Sequence, residues 1–309
     1  MSKIATEKGR HHSLSLRYLC RWTLARLLRV LIRIQLFFDP FPRFKNPNVT
    51  RTEGRIPSRD EGRYIRVRWY RPTSAAPDEA LPVLVNFHGS GFLLPLFGQD
   101  EGWCASVAEK ARMLVIDADY RKAPEYPFPF ASEDGEDVVR HILANIPHTT
   151  VSLSGFSAGG SVAFGLTSVL GHHIHSVVSF YPSVDTAADE VAQTDDPVLP
   201  PVLLRFLFSC YLVAGTVRSN PRLSATFVPT QDMPPHVWIS AGSIDPLHDS
   251  GHAFVSRLQR EGHPDAVFVS VPGKPHGFDR SGAAKVTLSP LGQEKHDEAI
   301  AFLKKALKA

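Results

Sequence analysis

The chain has 309 residues, 43% hydrophobic and 21% charged, with a formal net charge of +3. That profile excludes disordered, collagen-like and coiled-coil classes, and a chain this long buries roughly 75% of its unfolded surface without a disulfide or metal staple. The small net charge hides an asymmetry: residues 1–71 hold 17 Lys+Arg and 5 Asp+Glu, a balance of +12, while the remainder carries −9.

Residues 14–38 read as a helix, because Leu16, Leu19, Leu24, Leu27, Val30, Leu31, Ile34 and Phe38 recur on one side of a helical projection. Arg17, Arg21, Arg26, Arg29 and Arg33 fall on the opposite half with Trp22, Leu28 and Ile32. The segment is long enough to cross a bilayer, but each arginine costs about 3 kcal/mol at depth, which argues against a span. Two readings remain. A cap helix docked on the protein body is favoured, and a helix lying on a membrane surface is the minority reading. Pro40, Pro42 and Pro47 end the segment. The residues before it lack the apolar run and cleavage site of a signal peptide. Cys20, Cys104 and Cys210 are too few and scattered for a disulfide scaffold or a zinc site, so reduced thiols and a cytoplasmic location are expected.

From about residue 51 strands and helices alternate. Strands are predicted over 64–70, 82–87, 113–118, 150–154, 176–180, 237–241 and 266–271, with helices near 101–111, 131–146, 158–170, 249–262 and 290–308. This rhythm predicts an α/β fold with a mostly parallel sheet and helices on both faces. Residues 186–229 interrupt it, running acidic, then Pro-rich, then apolar over 202–213, and read as a lid inserted between two strands. The predicted organisation is a cap element over 1–50 and an α/β domain over 51–309 carrying that lid.

The sharpest chemical signal is Gly155-Phe156-Ser157-Ala158-Gly159-Gly160, set between a predicted strand and a predicted helix. Gly-x-Ser-x-Gly in that setting is a nucleophile elbow: a strained turn that projects the serine hydroxyl beside a helix N-terminus. A serine needs a base to take its proton, and the partners of this elbow follow in the order Ser, acid, His. Asp245 lies just past the strand 237–241 and His276 just past the strand 266–271, on the same edge as Ser157. Asp249 reads as a helix-start or loop carboxylate, and His248, His252, His263 and His296 as loop or helix-surface residues. The strand 82–87 ends in His88-Gly89-Ser90-Gly91-Phe92, where the N–H groups of Gly89 and Ser90, with that of Ala158, would form a three-donor oxyanion hole.

Four blocks in order resemble the hormone-sensitive-lipase-like family of α/β-hydrolases, the fold-3 carboxylesterases. They are His88–Phe92, Asp119-Tyr120-Arg121-Lys122-Ala123-Pro124-Glu125-Tyr126-Pro127-Phe128-Pro129, Gly155–Gly160, and Asp245-Pro246-Leu247 with His276-Gly277-Phe278. The blocks span roughly residues 64–309, and the stretch from Phe92 to Gly98 resembles fungal members in particular. Ser90 stands where the family has glycine, and Tyr126 where it has histidine. The Asp119 block reads as structural, with Arg121 and Glu125 able to pair. The resemblance implies an α/β-hydrolase fold with a helical cap, esterase activity and no cofactor or metal.

The expected reaction is hydrolysis of small to medium, fairly hydrophobic carboxylic esters through Ser157, Asp245 and His276 and an acyl-enzyme. The apolar runs 92–97 and 202–213 would line the acyl or alcohol pocket. An amidase or deacetylase would use the same residues, and a non-catalytic binding member would be expected to lose one of them. The expected partner is a small ester, with no nucleic-acid module recognisable; peripheral membrane contact through residues 14–38 stays open, and oligomeric state is not legible.

Overall fold

The structure is a computed structural model describing residues 16–41, 45–281 and 287–309. In chain order its elements are α1 (Leu16–Phe38), β1 (Val49–Pro57), β2 (Tyr64–Pro72), β3 (Leu81–Phe87), α2 (Glu101–Lys110), β4 (Leu114–Ala118), α3 (Phe130–Asn145), β5 (His148–Phe156), α4 (Ala158–Leu170) and β6 (Ser176–Phe180). There follow α5 (Thr186–Val191), α6 (Pro201–Tyr211), β7 (His236–Gly242), α7 (His248–Arg260), β8 (Asp265–Val271), a short ribbon of β9 (Arg280–Ser281) and β10 (Thr287–Leu288), and α8 (Pro290–Ala306). Every predicted strand is present. β1 was not predicted. It is an edge strand with one neighbour and most of its side chains in solvent, so it carries no apolar alternation to read.

The sheet runs in the order β1-β2-β4-β3-β5-β6-β7-β8. β3 to β8 are mutually parallel, and β1 and β2 join antiparallel at one edge. The central strands are continuous apolar runs because both their faces are covered. In β3, Val83, Val85 and Phe87 point into the core under α3, α4 and α7, while Leu84 points into the second core under α2 and α8. The loops after β3, β5, β7 and β8 therefore emerge at one carboxyl edge, the place where an open parallel sheet binds its ligands.

The insertion between β6 and β7 folds over that edge. Leu207 of α6 lies against Gly91, and the Tyr211 ring stacks on Phe92 with centroids 3.7 Å apart. Phe92 and Leu93 are buried in this packing, so the start of the run 92–97 is spent on holding the lid down rather than on lining an open pocket.

Helix α1 packs on α6 and the loops beside it, with a polarity opposite to the one its periodicity predicts. Ala25 is fully buried, and Leu28 and Arg29 turn inward with it. The row that reads as core-facing is in solvent: Leu24, Leu27, Val30, Leu31, Ile34 and Phe38 are 49–80% exposed. The cause is Arg29. Its guanidinium donates to the carbonyls of Leu93 and Ala123 and to Glu125, and an arginine with three fixed acceptors decides which side of the helix faces the protein. Residues 1–15 of the predicted cap element, and the side chains of residues 16–18, lie outside the described residues.

Candidate active site

The elbow forms where β5 runs into α4. Ser157 sits at φ 51° and ψ −122°, a backbone region that costs a non-glycine residue about 1–3 kcal/mol and persists only where the surroundings over-determine it. Those surroundings are identifiable. The Ser157 N–H donates to Phe180 O at 2.9 Å, and its carbonyl accepts from Ser161 N–H at 3.0 Å. A Cβ on Gly155 would collide with the Gly159 carbonyl group, and one on Gly159 with the carbonyl of Phe87, so both flanks of the turn require glycine. The Ser157 side chain stays partly exposed while its neighbours on both sides are buried.

The structure brings the three sequence-predicted residues into one hydrogen-bonded line. Ser157 Oγ lies 2.9 Å from His276 Nε2, and His276 Nδ1 lies 2.8 Å from Asp245 Oδ2. Asp245 is 2% exposed, and its other oxygen accepts from the Leu247 N–H at 2.8 Å, which fixes the plane of the carboxylate. With Nδ1–H given to Asp245, Nε2 carries the lone pair that faces the serine hydroxyl. Burial pulls the His276 pKa down, but the Asp245 charge and hydrogen bond, with the charges of Asp196 and Asp279, outweigh it, and the net shift is upward.

Two side chains that position His276 were not found by sequence reasoning. Asp196, in the insertion, accepts the His276 backbone N–H at 2.6 Å on Oδ2, while its Oδ1 accepts from the N–H groups of Val198 and Leu199. Tyr181, at φ 42°, packs its ring edge-on against the imidazole with centroids 4.6 Å apart. Its hydroxyl donates to Asp279, which also bonds His296. The pair Asp195-Asp196 before Pro197 in a polar segment carries no motif, and a Tyr at a strand end reads as core. Their proximity to His276 is created by the fold alone.

The three expected oxyanion donors lie just after the adjacent strands β3 and β5, at the same carboxyl edge. Among the described residues, the N–H groups of Gly89, Ser90 and Ala158 are not engaged in a hydrogen bond inside the protein. The Gly89 carbonyl accepts from Gln99 Nε2 at 2.7 Å. Serine at position 90 is accommodated because its hydroxyl points inward, 2.7 Å from the Tyr120 hydroxyl, which itself donates to His88 O. Tyr120 belongs to the Asp119 block, so one block builds the floor of the other.

Several secondary expectations are corrected. Arg121 and Glu125 do not pair. Arg121 binds Asp134, Asp60 and Glu133, whereas Glu125 is held by Arg29 and Arg26 of α1, because the turn between them points the two side chains to different sides. His296 is not on a helix surface but 3% exposed, enclosed by Trp103, Phe156 and Phe180. His263 is likewise buried, bonded to Pro234 O at 2.8 Å. His248 and His252 lie on α7 beside Phe268, and the Asp249 carboxylate is in solvent. None of these five touches Ser157. Among the described residues no cluster of His, Cys, Asp or Glu could hold a metal ion, and no helix is long and apolar enough to cross a membrane.

The profile of the family described as alpha/beta hydrolase fold matches residues 84–280. The chain is 26% identical over 260 residues to the ethyl acetate hydrolase of Pseudomonas putida, covering 80% of this chain and 79% of that one. It is 28% identical over 229 residues to the versiconal hemiacetal acetate esterase of Emericella nidulans, covering 68% and 75%. Among solved structures, an ester hydrolase from the Lake Arreo metagenome, complexed with a bipyridine phosphonate derivative, superposes with a TM-score of 0.80 at 26% identity, covering 92% of this chain and 91% of that one. The chain belongs to the α/β-hydrolase-fold family, in its hormone-sensitive-lipase-like branch, and is an enzyme of the carboxylic ester hydrolase class.

Proposed function

We propose that the protein hydrolyses small to medium, fairly hydrophobic carboxylic esters by acyl transfer to Ser157. The observation that carries the reading is the unbroken line Asp245–His276–Ser157, with contacts of 2.8 and 2.9 Å, under a strained elbow. Ser157 Oγ attacks the acyl carbon while its proton passes to His276 Nε2. The carbonyl oxygen becomes an oxyanion that accepts from the N–H groups of Gly89, Ser90 and Ala158, each worth about 3–4 kcal/mol of barrier. Collapse breaks the bond to the leaving alkoxide, which departs as alcohol with the proton from His276. Water then attacks the acyl-enzyme, gives its proton to His276, and releases the carboxylic acid as Ser157 Oγ is reprotonated. Asp245 holds the imidazole in the required tautomer and stabilises the cation formed in each half. Residues 186–229, with the inward side of α1 at Ala25, Leu28 and Arg29, act as the cap, held down by Leu204, Leu207 and Phe208 of α6.

Ser157→Ala should reduce p-nitrophenyl ester hydrolysis by at least about 10⁴-fold with the fold intact. A fluorophosphonate should add covalently to Ser157 in the wild type and not in the variant. Full activity in Ser157→Ala, with an unchanged circular dichroism spectrum, sinks the assignment. The same residues would cleave an amide, and parallel ester and amide substrates of one acyl group decide between them.

A further inference from the structure

The outer face of α1 is unexplained by the reaction. Leu24, Leu27, Val30, Leu31, Ile34 and Phe38 form one row along the helix, all in solvent, while the helix is fastened to the body by its other side through Ala25 and Arg29. A row of large apolar side chains of this length is more than scattered surface exposure. Arg21 borders it on one side, with its guanidinium also reaching the Ser209 carbonyl; Arg33 borders it on the other, next to Arg26, which sits over the Trp22 ring and near Glu125; all three are exposed. The helix holds five arginines and no acidic residue, within a region whose balance is +12.

We propose that α1 lies in the headgroup region of an anionic phospholipid bilayer, with its apolar row at the acyl boundary and its flanking arginines reaching the phosphates. The geometry is that of an interfacial helix on a protein body: an exposed apolar face, a cationic border, and a third side docked on the protein through Ala25, Leu28 and Arg29. Charge complementarity selects this occupant over a second copy of the chain. A two-fold pairing through this row would set the arginines of one α1 against those of the other, a like-charge contact that disfavours the pair. The arginines also fix the depth: they forbid crossing and favour lying flat.

The test uses the full chain and does not depend on turnover, so it succeeds or fails separately from the ester mechanism. Vesicles of phosphatidylcholine alone are compared with vesicles that also contain phosphatidylserine, by co-sedimentation at low and high salt. Cys20, the exposed cysteine, carries an environment-sensitive fluorophore; Cys104 and Cys210 are buried. Binding to the phosphatidylserine vesicles, weakened by salt and accompanied by a blue shift at Cys20, is expected. Leu27→Ser with Leu31→Ser should weaken partitioning by at least about tenfold. Arg33→Gln should weaken it about fivefold. Hydrolysis of a soluble short-chain ester should be unchanged in both variants, which verifies folding. Failure to bind either vesicle, equal binding to the neutral ones, or unchanged binding by the Leu27→Ser/Leu31→Ser variant overturns the proposal. So does a dimer in solution that this variant converts to monomer, which would assign the row to a second copy.

Discussion

The carboxyl edge of the sheet and helix α1 are neighbours, joined by the Arg29 guanidinium on the Leu93 carbonyl, yet they treat the same kinds of side chain differently. At the sheet edge, charged and polar groups are buried and satisfied: Asp245, Asp196 and Asp279 are each 2% exposed or less, and each has hydrogen-bond partners. On α1, large apolar groups stand in solvent while an arginine, Arg29, turns inward with Ala25. The lesson is that periodicity assigns residues to faces but does not say which face turns inward. In α1 a single guanidinium with three acceptors outweighs a row of leucines, because an arginine's hydrogen bonds are directional and the hydrophobic effect is not.

The largest expected effect tests the polar side of this contrast. Asp245→Asn keeps the shape of the site but lets the amide favour the wrong imidazole tautomer, and kcat should fall about 10⁴-fold with little change in thermal midpoint. A fall of under about tenfold would mean that the buried carboxylate is structural only.

A smaller effect is expected at Asp196. Asp196→Asn removes a charge that faces the His276 backbone, and kcat should drop about tenfold. Its distinguishing readout is the pH profile. His276 acts as a base only when neutral, and its pKa is raised above the ordinary histidine value, so wild-type kcat/KM should decline as pH falls through a pKa above 6.5. Without the Asp196 charge that limb should move to lower pH. A loss of activity with an unmoved limb would reduce Asp196 to loop packing.

The smallest effect on activity, and the sharpest test of how α1 is held, comes from Arg29→Ala. It leaves the carbonyls of Leu93 and Ala123 without this donor and the Glu125 carboxylate with Arg26 alone, for a local loss of about 1–3 kcal/mol. Hydrogen exchange along α1 should accelerate while exchange in β5 and α4 stays slow. Unchanged protection of α1 would show that Ala25 and Leu28 suffice to dock it.

Much of the site was legible because its chemistry is local. The glycines at 155 and 159 are demanded by contacts within a single strand-turn-helix unit, so the elbow is written in consecutive residues. Asp245 and His276 could be found because β7 and β8 are apolar runs of readable length, which puts the residues after them on one edge. What could not be read is non-local. Asp196 reaches His276 across 80 residues of sequence. Tyr181 gains its role from a ring contact across the sheet edge. Glu125 exchanged its expected partner Arg121 for an arginine of α1.

The sequence by itself determined the mostly parallel sheet and pointed to the residues proposed as nucleophile, base and acid, because strand periodicity and a steric turn leave few alternatives. Only the tertiary structure decided which face of α1 is bare, which carboxylate holds the His276 backbone and where the lid is fastened. Those outcomes depend on which hydrogen-bond acceptors happen to be brought within about 3 Å of a donor, and that is a property of the assembled chain rather than of any segment of it.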